Sequence, residues 1–168
     1  MSTFEFKPID FDSHKALATV IRLDSFVTSF GYDVGLSKFL SEADDYLRWL
    51  HNVLKTEPAR AVHLLKDGVI IGQLEIAEQP RSPDTGKLNL VYLLPAFRGK
   101  GYAEKLHAYA VDYFKSKGLR RAVLRCSPTN SRGLAFYKRT GWQDRGPDPD
   151  HPEVHWMELS LSPQCHAE

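Results

Sequence analysis

Between β-type and helix-type patterns the chain carries the run Val91-Tyr92-Leu93-Leu94-Pro95-Ala96-Phe97-Arg98-Gly99-Lys100-Gly101-Tyr102-Ala103. An apolar segment feeds a loop with two glycines, and the loop opens into a helical pattern. The first amides of a helix have no internal acceptor, and the helix dipole adds about half a positive charge there. Glycine tolerates positive φ and lets the backbone approach an anion, so successive N–H groups can form a concave nest. This local chemistry suits a phosphate or diphosphate. A Walker loop would need Gly-x-x-x-x-Gly-Lys-Ser/Thr, which is absent. The dinucleotide fingerprint would need glycine or alanine three residues after Gly101, where Glu104 stands.

Such a loop needs a strand before it and a helix after it. Leu88 to Leu94 is apolar except for Asn89, as in a central strand covered on both faces. A helix is predicted from about Gly101 to Lys117, with Ala103, Leu106, Ala110, Tyr113 and Phe114 on its apolar face and Gly118 as its stop. Upstream, Phe4–Pro8 reads as a short strand. Asp12 or Ser13 would cap a helix carrying Leu17, Val20, Ile21 and Leu23 on one face. Gly31 and Gly35 are expected to break it in a loop, and a second helix is expected from Ser41 to about Lys55. Val62–Leu65 and Val69–Ile76 flank Lys66-Asp67-Gly68, a hairpin signal. Residues 79–86 read as a turn-rich connection. Arg121–Cys126, a helix over Ser131–Thr140, and strands at Trp142–Arg145 and Val154–Leu161 complete the order β-α-α-β-β-β-α-β-α-β-β, a mixed α/β sheet.

The 168 residues have room for one domain, expected to span 1–168, with an ordinary soluble composition of 42% hydrophobic and 26% charged residues. A net charge of +1 argues against nucleic acid as a partner. No run approaches the ~20 apolar residues of a membrane span, and Met1–Asp10 has no signal-peptide core. Cys126 and Cys165 are not spaced as metal ligands, so no metal is expected and a cytoplasmic location is.

A second segment joins the first: Asn130-Ser131-Arg132-Gly133-Leu134-Ala135-Phe136-Tyr137-Lys138-Arg139-Thr140-Gly141-Trp142. The two together resemble the GNAT superfamily of N-acetyltransferases. Its main motif is a Leu-Tyr-Val-x-Pro-like strand end followed by Gln/Arg-x-x-Gly-x-Gly/Ala, and its second is Asn-x-x-Ala-x-x-x-Tyr-x-x-x-Gly-Phe. The resemblance covers about Ala61–Trp142, with the two N-terminal helices matching by layout. Ala96, Gly133 and Trp142 depart from the pattern, and none of these removes a backbone amide.

The resemblance implies a GNAT-like fold: a central mixed, mostly antiparallel sheet, flanked by helices, whose fourth and fifth strands splay apart. It implies acetyl-CoA as cofactor and a primary amine of a small molecule or peptide as acceptor, with transfer by direct attack in a ternary complex. Main-chain groups of Leu93 and Leu94 would receive the pantetheine arm, and the Leu93 amide would meet a developing oxyanion. The loop from Arg98 through Gly99, Lys100, Gly101, Tyr102 and Ala103 would hold the diphosphate, with charge from Arg98 and Lys100 nearby. Asn130 would bond the arm or cap a helix. Tyr137 would meet the departing sulfur. Glu75, Asn89 (through a water) and His107 are candidate bases. Phe26, Phe30 and Tyr32 would line the acceptor side from a loop between the first two helices. A catalytically silent CoA sensor is the alternative, and a homodimer is compatible with the family.

Overall fold

The computed structural model describes residues 1–78 and 82–161. Residues 79–81 of the expected 79–86 connection lie outside them, as does Cys165. Among the described residues four helices and seven strands follow the expected order: β1 (Phe4–Pro8), α1 (Phe11–Phe30), α2 (Tyr32–Thr56), β2 (Ala61–Lys66), β3 (Val69–Ala77), β4 (Thr85–Leu93), α3 (Ala103–Ser116), β5 (Arg121–Cys126), α4 (Ser131–Arg139), β6 (Gln143–Pro147) and β7 (His155–Ser160). The strands form one mixed sheet in the order β1-β2-β3-β4-β5-β7-β6. Packing groups the chain into two compact units, Met1–Ile76 with Leu90–His107, and Ala77–Asn89 with Ala108–Glu168.

In the first unit β1, β2 and β3 are antiparallel neighbours. Asp67 and Gly68, at φ 50° and 81°, make the two left-handed positions that a two-residue hairpin turn requires. The β2–β3 register passes from Leu64 opposite Gly72 to Leu65 opposite Ile70, so Ile71 is the extra residue of a bulge. Gly72 is required by close approach, since a Cβ there would lie 2.7 Å from the Tyr92 carbonyl oxygen.

The N-terminal helices differ from expectation. Asp10, not Asp12 or Ser13, caps α1 by accepting from the Ser13 amide at 3.2 Å. Val20, expected on the buried face, is 60% exposed, whereas Ala18 and Ile21 are buried. There is no Phe30–Gly35 loop. Gly31 alone, at φ 83°, separates α1 from α2, and α2 begins at Tyr32 rather than Ser41. Gly35 lies within α2 because the two helices touch there: a Cβ would lie 2.6 Å from the Phe26 carbonyl oxygen and from Val27 Cα. Around Ala18, Tyr46, Leu50 and Val53 the hairpin closes over Ile9 and Ala61. A second cluster joins Ile21 of α1 to Leu90 and Tyr92 of β4.

In the second unit β5 runs parallel to β4 over Thr85–Lys87 against Arg121–Val123, and antiparallel to β7. α3 ends in a Schellman motif: the Leu119 amide donates to Phe114 O at 3.2 Å and Gly118, at φ 71°, to Lys115 O at 3.0 Å. Phe114 and Leu119 both press on Gly86, where any Cβ would overlap the phenyl ring. Phe114, Leu124 and Met157 are fully buried in this unit. Among the described residues no helix is long and apolar enough to cross a membrane.

Replacing Gly35 with valine forces backbone apart from backbone, which no rotamer change relieves. Unfolding in urea is expected to show a loss of at least about 3 kcal/mol, the upper end of ordinary overpacking and well above the gain in helix propensity. A stability within 1 kcal/mol of wild type would contradict this packing.

Candidate active site

The Leu93–Ala103 segment divides into a held half and an open half. The Leu94 amide donates to the carbonyl of the bulge residue Ile71 at 2.8 Å, and Leu94 O accepts from Phe97 N at 2.9 Å. Leu94 therefore keeps one carbonyl lone pair, and its amide is not free for an added strand as expected. Pro95–Phe97 form a single 3-10 turn, and the Arg98 amide donates back to Pro95 O at 3.3 Å. The turn continues through Gly99, but the close hydrogen bonds stop at Arg98. Among the described residues, none of the turn or cap hydrogen bonds uses the amides of Gly99, Lys100, Gly101 or Ala103. Gly99 and Gly101 adopt φ 74° and 82°. A Cβ at Gly99 would meet nothing within 4 Å, and one at Gly101 only a Glu104 oxygen at 3.9 Å. The donors of Gly99, Lys100 and Gly101 just before the helix, with that of Ala103 at its first residue, fit a diphosphate.

Arg98 is spent differently from the expected loose cation. Its Nε donates to Leu93 O at 2.9 Å, and its Nη2 to Asp24 Oδ2 of α1 at 3.2 Å. Asp24 Oδ2 also accepts from the Tyr92 hydroxyl at 2.5 Å, and the guanidinium lies 5.2 Å from the Tyr92 ring centre. Burial and the Asp24 carboxylate push the Tyr92 phenol up to about 12. Lys100 rests its ammonium 5.9 Å from the Phe97 ring. Tyr102 packs on Phe4 with centroids 5.3 Å apart.

Glu75 stands in a separate polar cluster of the same unit, with 0% exposure. Its Oε2 accepts from the Tyr46 hydroxyl at 2.5 Å and from Gln73 Nε2 at 2.7 Å, and Oε1 lies 3.8 Å from Arg22. Gln73 Nε2 also donates to the Tyr46 hydroxyl at 3.2 Å. Because a carboxylate only accepts, the Gln73 amide must turn its nitrogen to Glu75 and its oxygen to His63, whose Nε2 is 2.9 Å away. Burial and the Glu75 charge keep the Tyr46 phenol protonated far above its ordinary range. Arg22 also lies over Phe26, 5.0 Å from the ring centre, and Phe26 stacks on Phe30 at 6.2 Å. The expected acceptor residues Phe26 and Phe30 thus belong to α1 rather than a loop and meet Glu75 through Arg22. Tyr32, 69% exposed, opens α2. His107 lies on α3, where burial lowers its imidazole below the usual range.

In the second unit, Asn89 is half-buried on β4. Asn130 caps α4, its Oδ1 accepting from Gly133 N at 3.0 Å, so its Nδ2 hydrogens remain for other partners. A Cβ at residue 133 would lie 2.7 Å from that Nδ2, which gives a reason for glycine there. α4 ends in a second Schellman motif: Trp142 N donates to Tyr137 O at 2.9 Å, and Gly141, at φ 101°, to Lys138 O at 3.2 Å. Tyr137 and Trp142 are the two residues whose side chains meet across that motif, with ring centroids 5.9 Å apart. The spacing Tyr-x-x-x-Gly-Trp is therefore the spacing of a helix end. No side chain among the described residues bonds the Tyr137 hydroxyl. Burial, with a smaller effect of Cys126, pushes this phenol well above its ordinary range.

Sequence reasoning missed Asp24, Arg22, Tyr46 and Gln73. Asp24, Arg22 and Tyr46 act through partners at least 29 positions away, and no local pattern signals such pairs; Gln73 joins His63 to Glu75 on the neighbouring strand β3.

A family model described as Acetyltransferase (GNAT) family matches residues 24–142. The uncharacterized N-acetyltransferase YjgM of Escherichia coli strain K12 is 31% identical over 130 residues, spanning 76% of this chain and 75% of that protein. The PaiA N-acetyltransferase of Thermoplasma acidophilum, solved in complex with coenzyme A, shares the fold with a TM-score of 0.76 at 18% identity, over 94% of this chain and 99% of its own. YncA of Salmonella typhimurium, solved with its cofactor acetyl-CoA, gives 0.69 at 16% identity, over 99% and 98%.

His63 is buried, and desolvation lowers its pKa below the ordinary value near 6.5. The unfolded chain then binds more protons here than the folded one once pH drops below about 6.5, so stability falls with acidification. The thermal midpoint is expected to decline from pH 7 to 5.5, and His63→Gln should flatten that decline; an unchanged slope would remove His63 as its source.

Proposed function

This chain belongs to the acetyltransferase (GNAT) family, and on that premise we propose that it transfers an acetyl group from acetyl-CoA to a primary amine of a small molecule or peptide, by direct attack in a ternary complex. We also propose that the whole chain works as one transferase domain. The observation that carries the cofactor part is the run of open amides at Gly99, Lys100, Gly101 and Ala103 beside two positive-φ glycines. Those amides would take the diphosphate, with Tyr102 and Lys100 beside them. Arg98 would serve by holding the loop. Leu93, the remaining lone pair of Leu94, and Asn130 Nδ2 would receive the amide-bearing arm.

Acetyl-CoA supplies the activated acyl group, and the chain's own residues handle protons and orientation. A lysine-like ammonium (pKa ~10.4) is neutral in only about one molecule in two thousand at pH 7, so the acceptor must lose a proton. Glu75 and Asn89 are proposed for that step. For Glu75, an ammonium would have to displace Tyr46 or Arg22 from its carboxylate. Asn89 would act by orienting a water. Phe26, Phe30 and Tyr32 are proposed to border the acceptor.

Tyr137 is proposed to meet the departing sulfur. A free phenol (pKa ~10) is already a weaker acid than a thiol (~8.5), and burial raises this one further. Its task is then to donate a hydrogen bond to developing thiolate while keeping its proton, and its hydroxyl carries no competing bond. That open phenol favours turnover over a silent sensor.

Calorimetric titration with acetyl-CoA, followed by thiol release across a panel of amines, tests the reading. Tyr137→Phe is expected to lower kcat about 10- to 100-fold, the worth of a hydrogen bond to a charged group, with a smaller change in KM for acetyl-CoA. Wild-type turnover would reduce Tyr137 to packing. Gly101→Val strains a left-handed position that has space for a side chain, so it should abolish CoA binding while the protein stays folded. Undiminished affinity would place the cofactor elsewhere.

A further inference from the structure

We infer that Asp24 is a positioning residue for cofactor binding: from α1, acting through Arg98, its carboxylate holds the Gly99–Ala103 loop in the geometry that receives a diphosphate. This rests on the loop's role proposed above.

Apart from Tyr102, which packs on Phe4, the loop has little else to hold it. Two of its residues are glycines with positive φ, and its amides make none of the turn bonds that fix neighbouring segments. A backbone this free loses conformational entropy when a ligand orders it, and that loss weakens binding unless the chain has ordered it beforehand. The last fixed point before the glycines is Arg98. Its guanidinium reaches back to Leu93 O and sideways to Asp24 Oδ2, with the Tyr92 ring beneath it. The Tyr92 hydroxyl donates to the same Asp24 oxygen and keeps that carboxylate facing the end of β4. One α1 side chain thus joins Tyr92, at the end of β4, to Arg98, the residue before the loop.

The sign of the effect separates this role from a simple electrostatic one. A carboxylate near an anion site repels the anion, and its removal would also release Arg98 as a cation for the phosphates. On charge alone, Asp24→Asn should tighten CoA binding. Positioning requires the reverse.

The experiment is a double-mutant cycle on CoA affinity, measured by calorimetry on the full chain, with Asp24→Asn, Arg98→Gln and both together. Asp24→Asn is expected to weaken CoA binding roughly 10- to 100-fold, as for loss of a charge-assisted hydrogen bond that orders the site. KM for acetyl-CoA should rise in step, with kcat within about threefold. Arg98→Gln should show a similar loss, and the double variant should be no worse than the poorer single one, because both changes cut one link. Binding by Asp24→Asn as tight as wild type or tighter, or losses that add in the double variant, would overturn the inference. Should Asp24→Asn not fold, as judged by its thermal transition, Arg98→Gln alone decides: affinity within twofold of wild type refutes the link. Gly101→Val serves as the control for the underlying reading. If it binds CoA normally, the loop assignment fails; if it loses CoA while Asp24→Asn does not, only the positioning role fails.

Discussion

An amide at the mouth of a helix has no acceptor inside the helix, and here the Ala103 amide is joined by those of Gly99, Lys100 and Gly101 in the loop just before it. The chain is held up to the residue before the opening. The Ile71 bulge takes the Leu94 amide, a 3-10 turn uses Phe97 and Arg98, and Asp24 fixes the Arg98 side chain. Past that point two glycines keep the donors uncovered. Unmet donors are costly in a protein interior, and here they face open space, where an anion or water can meet them.

The second motif has a geometric rather than chemical origin for most of its letters. Asn130 and Gly133 are the cap and third residue of α4. Tyr137, Gly141 and Trp142 are the positions a Schellman motif demands, with the aromatic pair supplying its apolar contact. The helix end itself sets the orientation of the Tyr137 ring. Trp142 in place of phenylalanine gives that ring a larger surface to rest on.

Local signals in the sequence translated well into structure. Asp67-Gly68 became the hairpin turn, Gly118 the α3 stop, and the strand-loop-helix around Arg98 appeared at the residues that suggested it. The largest errors share one cause. Gly35 looks like a helix breaker from its neighbours in sequence, yet it sits inside α2 because a tertiary contact with Phe26 leaves no volume for a side chain. Val20 fits an apolar stripe but faces outward, and Asp10 took the cap that Asp12 could equally have filled. Most strongly, the partners of Arg98 and Glu75 lie on helices 74 and 29 residues distant, so what those side chains do was invisible until the fold joined them.

Gln73 carries one last implication. It stands between His63 and the Glu75 carboxylate with every hydrogen bond pointing in a fixed direction. A carboxamide links two groups mechanically and electrostatically, but it does not relay a proton as a hydroxyl or a water does. The imidazole and the carboxylate are therefore joined through Gln73 without exchanging a proton. Gln73 thus acts as an insulator against proton transfer between His63 and Glu75 in the middle of the protein.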